Sequence, residues 1–95
     1  MKKYLVGRSN SKVDITITDP ERTVSGIHLE LIEDTGDNYY VVDCNSKNGT
    51  YHQQNGQWKR IIKDYVKVDE PLLLGKYQTS VHQLLTILTK QDEES

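Results

Sequence analysis

The chain has 95 residues, with 12 Lys and Arg against 14 Asp and Glu and a formal net charge of −2. That length makes one domain, and by the usual scaling it buries about 60% or slightly more of its unfolded surface. The mild acidity gives no bulk attraction to nucleic acid or an anionic membrane, so any anion site must be a local arrangement. No apolar run approaches the roughly 20 residues that span a bilayer, and Met1-Lys2-Lys3 precedes too short an apolar stretch for a signal peptide. Cys44 stands alone, which excludes an intramolecular disulfide and makes a reducing cytoplasm the expected location. With no base near it in sequence, its thiol reads as unremarkable. His28, His52 and His82 are too scattered to suggest a zinc site, and neither metal nor cofactor is expected. Met1 and the acidic end fit a complete small protein.

In chain order, Tyr4-Leu5-Val6 reads as a strand stopping at Gly7, and Arg8 heads a polar loop. Asp14–Thr18 alternates polar and apolar residues, the signature of a half-buried strand. Pro20 then forces a loop through Thr23. From Ile27 the alternation resumes, with Ile27, Leu29 and Leu31 on one face and His28, Glu30 and Ile32 on the other. Thr35-Gly36-Asp37-Asn38 predicts a hairpin turn, and Tyr39–Asp43 returns as a strand of β-branched and aromatic residues. Asp43–Tyr51 is a polar turn in which Asn48-Gly49 tolerates positive φ, and alone it reads as an ordinary hairpin. His52–Trp58 is a second polar turn, followed by short strands near Trp58–Ile62, Tyr65–Val68 and Leu72–Gly75. Val81, Leu84, Leu85 and Leu88 form a helical stripe, and Ser80 with Gln83 fits a capping box. The expectation is one domain over 1–90, all-β except for a helix over about 80–90, with residues 91–95 an acidic disordered tail.

Three short motifs stand in order: Gly7-Arg8, then Ser25-x-x-His28, then Ser46-x-Asn48-Gly49-Thr50. Together with Asp14-Ile15 and Val24 they resemble a forkhead-associated (FHA) domain, from Tyr4 to about Gly75. The resemblance implies a β-sandwich of two mostly antiparallel sheets that binds phosphothreonine peptides. Arg8 would grip the phosphate, which carries close to −2 charge, because its planar fork donates two parallel hydrogen bonds and never deprotonates. Ser25 would add a hydroxyl, Gly26 a backbone amide, and Asn48 a hydrogen bond to the peptide main chain. Lys47 either adds a second positive charge or points into solvent. Gly7, His28, Gly49 and Thr50 would support the site, with His28 bonded to backbone. Arg22, Thr23 and the His52–Trp58 insertion are placed to read residues beside the phosphothreonine, and an acidic residue would suit Arg22.

The sequence also departs from the family pattern. Gly26 stands where FHA domains commonly carry Arg or Asn, and Val68-Asp69-Glu70-Pro71 blurs the usual Gly-Asp before the last strands. A helical tail would shorten or replace the final strand. Threonine over serine cannot come from simple methyl burial, worth about 0.8 kcal/mol or roughly fourfold. The expected function is a non-catalytic adaptor that binds a phosphothreonine protein, a Ser/Thr kinase or its substrate. The alternative is an FHA-fold scaffold for phospho-independent assembly. An enzyme is a distant third: Ser25, His28 and Asp43 sketch a triad, but no Gly-x-Ser-x-Gly elbow accompanies them.

Overall fold

The structure, a computed structural model, describes residues 2–94. Nine strands precede one helix: β1 (Lys3–Gly7), β2 (Ile15–Thr16), β3 (Leu29–Glu33), β4 (Asn38–Asp43), β5 (Thr50–Gln54), β6 (Gln57–Ile61), β7 (Lys63–Lys67), β8 (Leu72–Leu74), β9 (Tyr77–Thr79) and α1 (Val81–Glu94). They form a five-stranded sheet ordered β2-β1-β3-β4-β7 and a four-stranded sheet ordered β6-β5-β8-β9. Among the described residues only β1 and β2 pair in parallel; the other pairings are antiparallel, as the expected sandwich requires. Alternate residues of both sheets, among them Val6, Leu29, Leu31, Val41, Leu72 and Leu74, are wholly buried between them. Val81 and Leu84 of α1 join that core, and Leu85, Ile87 and Leu88 pack partly against it. Burying one face of the helix in this way supplies the stability its own sequence lacks.

Several local expectations change in three dimensions. β2 keeps only Ile15 and Thr16 of the expected strand, because the chain leaves the sheet toward Pro20. Ile27 lies before β3 and is exposed, while His28 is fully buried, so the strict alternation begins at Leu29. Asp43–Tyr51 is not a hairpin. It carries the chain from β4 in one sheet to β5 in the other, with positive φ at Asn45 and Gly49 rather than at Asn48. The second polar turn shrinks to Asn55-Gly56, with φ of 53° and 79°, between β5 and β6. Both values are positive, as a two-residue type I′ turn demands. His52 is consequently a buried strand residue. β9 is present but only three residues long, and it feeds directly into α1.

The helix starts where expected. Ser80 Oγ accepts from the Gln83 N–H at 3.2 Å, which caps the first turn. It does not stop at Lys90 but continues through Glu94, so Gln91–Glu94 is helical rather than a disordered tail. Gln91 is held by two hydrogen bonds to the β2 edge, which fix the end of the helix. Ser95, the last residue of the expected tail, lies outside the described residues. Among those described, no helix is long and apolar enough to cross a membrane.

Candidate functional site

One end of the sandwich gathers the loop after β1, the long β2–β3 connection, the β4–β5 crossover and the β8–β9 turn. Backbone contacts lock the first two together. Arg8 N–H donates to Ser25 O at 3.0 Å, Ser9 N–H to Gly26 O at 3.1 Å, and His28 N–H to Val6 O at 2.8 Å. Gly7 permits this approach: a Cβ there would sit 2.2 Å from Gly26 O and 2.9 Å from Ser25 O. Backbone cannot yield that much room. Gly7→Ala is therefore expected to lower stability by about 2–3 kcal/mol, or a Tm loss of about 10–20 °C in a domain this size. Gly26→Ala is the control, since its Cβ would meet only Ser9 Cβ at an ordinary 3.6 Å. Thermal denaturation decides between them, and equal melting temperatures for both variants would refute the argument.

His28 ties the connection to the crossover. Its Nδ1 accepts the Ser25 N–H at 3.0 Å, and its Nε2 lies 3.0 Å from Gly49 O. An amide can only donate and a carbonyl only accept, so the neutral ring carries its hydrogen on Nε2. Burial holds the His28 pKa below its ordinary value; the Gly49 bond and the Asp43 charge pull upward but do not prevail. Gly49 O also accepts Gly75 N–H at 2.9 Å, so one carbonyl joins three loops. With both ring nitrogens engaged on backbone, nothing here activates the Ser25 hydroxyl as a triad would.

The crossover is braced from within by Asp43. Its carboxylate accepts the Ser46 amide at 3.0 Å, the Ser46 hydroxyl, and the Thr50 hydroxyl at 2.7 Å. Ser46 Oγ in turn accepts Gly49 N–H at 3.1 Å. Burial pushes the Asp43 pKa up, but these donors and nearby His28 outweigh it, and the net shift is downward. Asp19 does the same for the β2–β3 connection, accepting from the amides of Glu21, Thr23 and Val24 and the Thr23 hydroxyl. Sequence reading named Asp43 and Ser46 without these bracing roles and passed over Asp19. Asp43-x-x-Ser46 and Asp19-x-x-x-Thr23, spacings of side chains that cap their own turn, carry the signal.

The expected contact residues do come together on this scaffold. Arg8 is half-buried, with Nε donating to Val24 O at 2.8 Å. Among the described residues its two Nη groups have no carboxylate partner. Ser25 Oγ accepts Lys47 N–H at 3.0 Å, which leaves its own proton to donate outward. Asn48 is exposed and anchored by Nδ2 to Thr23 O at 2.8 Å, leaving its carbonyl oxygen uncommitted. The Lys47 side chain is exposed. Thr50 is buried and braces the crossover through Asp43. Thr23 faces inward, its hydroxyl donating to Asp19 and accepting Lys76 N–H at 2.9 Å. Arg22 is exposed at φ 58°, a backbone region costly for a residue with a side chain. The His52–Trp58 insertion is not part of the cluster. β5 leaves the crossover at Thr50, so its tip at Asn55-Gly56 lies about 15 Å away along the strand. Cys44, half-buried nearby, has its thiol pushed up by burial and by the charges of Glu30 and Asp43, which makes it a poor nucleophile.

The FHA family model matches residues 4–70. The chain belongs to the FHA family. That family binds phosphothreonine peptides, and its members are interaction modules. No curated protein matches the sequence. Among solved structures, the FHA domain of the CT664 protein from Chlamydia trachomatis is similar at 23% identity and TM-score 0.69, over 81% of this chain and 72% of that one. An FHA domain studied for phosphothreonine-dependent interactions is 24% identical at TM-score 0.64, over 80% and 71% of the two chains. The FhaA FHA domain, solved with the intracellular domain of Rv3910, is 25% identical at TM-score 0.61, over 80% and 75%. The first two bear on the fold alone.

Proposed function

We propose that this FHA domain binds phosphothreonine peptides through Arg8, Ser25, Gly26, Lys47 and Asn48, as a non-catalytic adaptor. The observation that carries the reading is the half-buried Arg8, aligned by Val24 O and without a carboxylate partner among the described residues, beside the outward-donating Ser25 hydroxyl. A dianionic phosphate supplies the missing acceptor. Asn48, anchored through Nδ2, can use its carbonyl oxygen on the peptide main chain and so set its direction. Gly7, His28, Gly49 and Thr50 hold the loops. Because phosphothreonine is made by Ser/Thr kinases, the partner is such a kinase or one of its substrates. The test is fluorescence anisotropy with degenerate peptide pools carrying phosphothreonine, phosphoserine or unmodified threonine. Low-micromolar binding restricted to the phosphothreonine pool supports the proposal. Equal binding of all three pools, or none in folded protein, would sink it and leave phospho-independent assembly as the better account.

Arg22 supports a finer reading. A glycine would occupy φ 58° more cheaply, so an exposed cationic side chain is kept here, one residue before Thr23, against backbone preference. An acidic residue following the phosphothreonine is its natural partner. Arg22→Gly is expected to raise stability by up to about 1 kcal/mol while reducing the preference for acidic peptides. Paired denaturation and peptide-array measurements check this, and lower stability with unchanged selectivity would contradict it.

A further inference from the structure

β2 lies at the edge of the five-stranded sheet with β1 on one side. On its other side, where a strand would sit, is the side chain of Gln91 from α1. Gln91 Oε1 accepts Thr16 N–H at 2.8 Å and its Nε2 donates to Asp14 O at 3.0 Å. Those two backbone groups flank Ile15, and one residue of a parallel strand would engage the same pair. A primary carboxamide presents one N–H beside its C=O, as a strand residue presents its own N–H and C=O to a neighbour, so Gln91 fills the place of an absent strand residue. An edge of this kind is otherwise open to pairing with another chain.

β2 also closes the loop that carries Arg8. Asp14 N–H donates to Leu5 O and Ile17 N–H to Gly7 O, both at 2.8 Å, while Leu5 N–H donates to the Asp14 carboxylate at 2.8 Å. Within the loop, the amides of Lys12 and Val13 both donate to Ser9 O. A groove of about 510 Å³, lined by Asn10, Thr16, Thr18, Ile87, Lys90 and Gln91, separates this loop from the helix. Beside the groove, the Gln91 carboxamide joins the helix to β2.

We infer that Gln91 is a positioning residue for the Arg8 loop: by completing the edge of β2 it fixes both ends of the loop and hence the guanidinium. The functional half of this inference rests on the reading of Arg8 as the phosphate contact. The test is amide hydrogen exchange on the 15N-labelled 95-residue chain, comparing wild type with Gln91→Met and Gln91→Glu. Met keeps the length and apolar stem without the amide; Glu keeps an acceptor but sets an oxygen against Asp14 O. In Gln91→Met the Thr16 amide is expected to exchange about tenfold faster, with Ser9, Val13 and Asp14 following, while β3 and β4 amides stay protected; in Gln91→Glu the rise at Thr16 is smaller, because an acceptor remains. Affinity for the phosphothreonine pool falls about three- to tenfold, with peptide selectivity unchanged. Faster exchange at Thr16 alone would overturn the inference, since the contact would then be local. An equal rise in every strand would also overturn it, making Gln91 a general stabiliser. If wild type binds no phosphopeptide, the reading of the site fails, yet the exchange pattern still decides whether Gln91 positions the loop.

Discussion

Arg8→Ala is expected to weaken phosphothreonine-peptide binding at least about 100-fold while leaving the protein folded. Two charge-assisted hydrogen bonds from the guanidinium are each worth about 1.5–3 kcal/mol, and every 1.4 kcal/mol is tenfold in affinity. The fold should survive because Arg8 anchors the loop mainly through its backbone: its N–H bonds Ser25 O, and the Nε bond to Val24 O is one contact among many. Arg8→Lys is the informative companion. Lysine keeps the charge but loses the fork and the Nε alignment, so most of the affinity should go with it. Raising ionic strength should weaken wild-type binding and leave the residual binding of Arg8→Ala less affected. Anisotropy titrations with parallel circular dichroism give all three results. Retained affinity in a folded Arg8→Ala protein would remove Arg8 from the site.

The second large effect concerns His28. His28→Ala removes a fully buried ring and two hydrogen bonds, orphans the Ser25 amide, and loosens the β2–β3 connection from the crossover. A cost of about 3–5 kcal/mol is expected, a large part of the stability of a domain this size. pH gives an independent reading in the intact protein. Burial lowers the folded-state pKa of His28 below its ordinary value, so the unfolded chain takes up the proton more readily. Stability from this residue is thus full above about pH 6.5 and falls as pH drops through 6.5 toward the folded value. The lowered Asp19 and Asp43 groups act in a separate range. Their contribution is present above about pH 4 and is lost only at more acid pH. Denaturant midpoints should therefore fall between pH 7 and pH 5, and the His28 imidazole signals should titrate below pH 6.5. A His28 that titrates at or above pH 6.5 in folded protein would contradict this account.

The two effects reach binding by different routes. Losing Arg8 removes a contact and spares the scaffold. Losing His28 keeps every expected contact residue but lets their loops drift, so affinity and stability fall together. Comparing the two variants at equal folded fraction separates recognition from positioning.

Local chemistry wrote much of this protein into its sequence. Period-2 alternation marked the strands, because a sheet residue faces either core or solvent. Val81, Leu84, Leu85 and Leu88 marked the helix, because one stripe of it must be buried. The spaced motifs pointed to Arg8, Ser25, His28 and Asn48, and the fold gathers them at one end of the sandwich. Tertiary structure decided what depends on distant partners. Asn48-Gly49 looks like a hairpin turn, yet the chain changes sheets there, a choice made by which strands pair. His52 and Thr50 look like polar surface and are buried, since β5 pairs them with the core residues Leu72 and Leu74 and so turns them to the same inward face. The roles of Asp19, Asp43 and Ser46 depend on turns that form only when the loops fold back on themselves. The acidic end reads as a tail because no local signal holds it. Gln91 becomes an anchor only because the edge of β2, some 75 residues earlier, leaves one donor and one acceptor open to it.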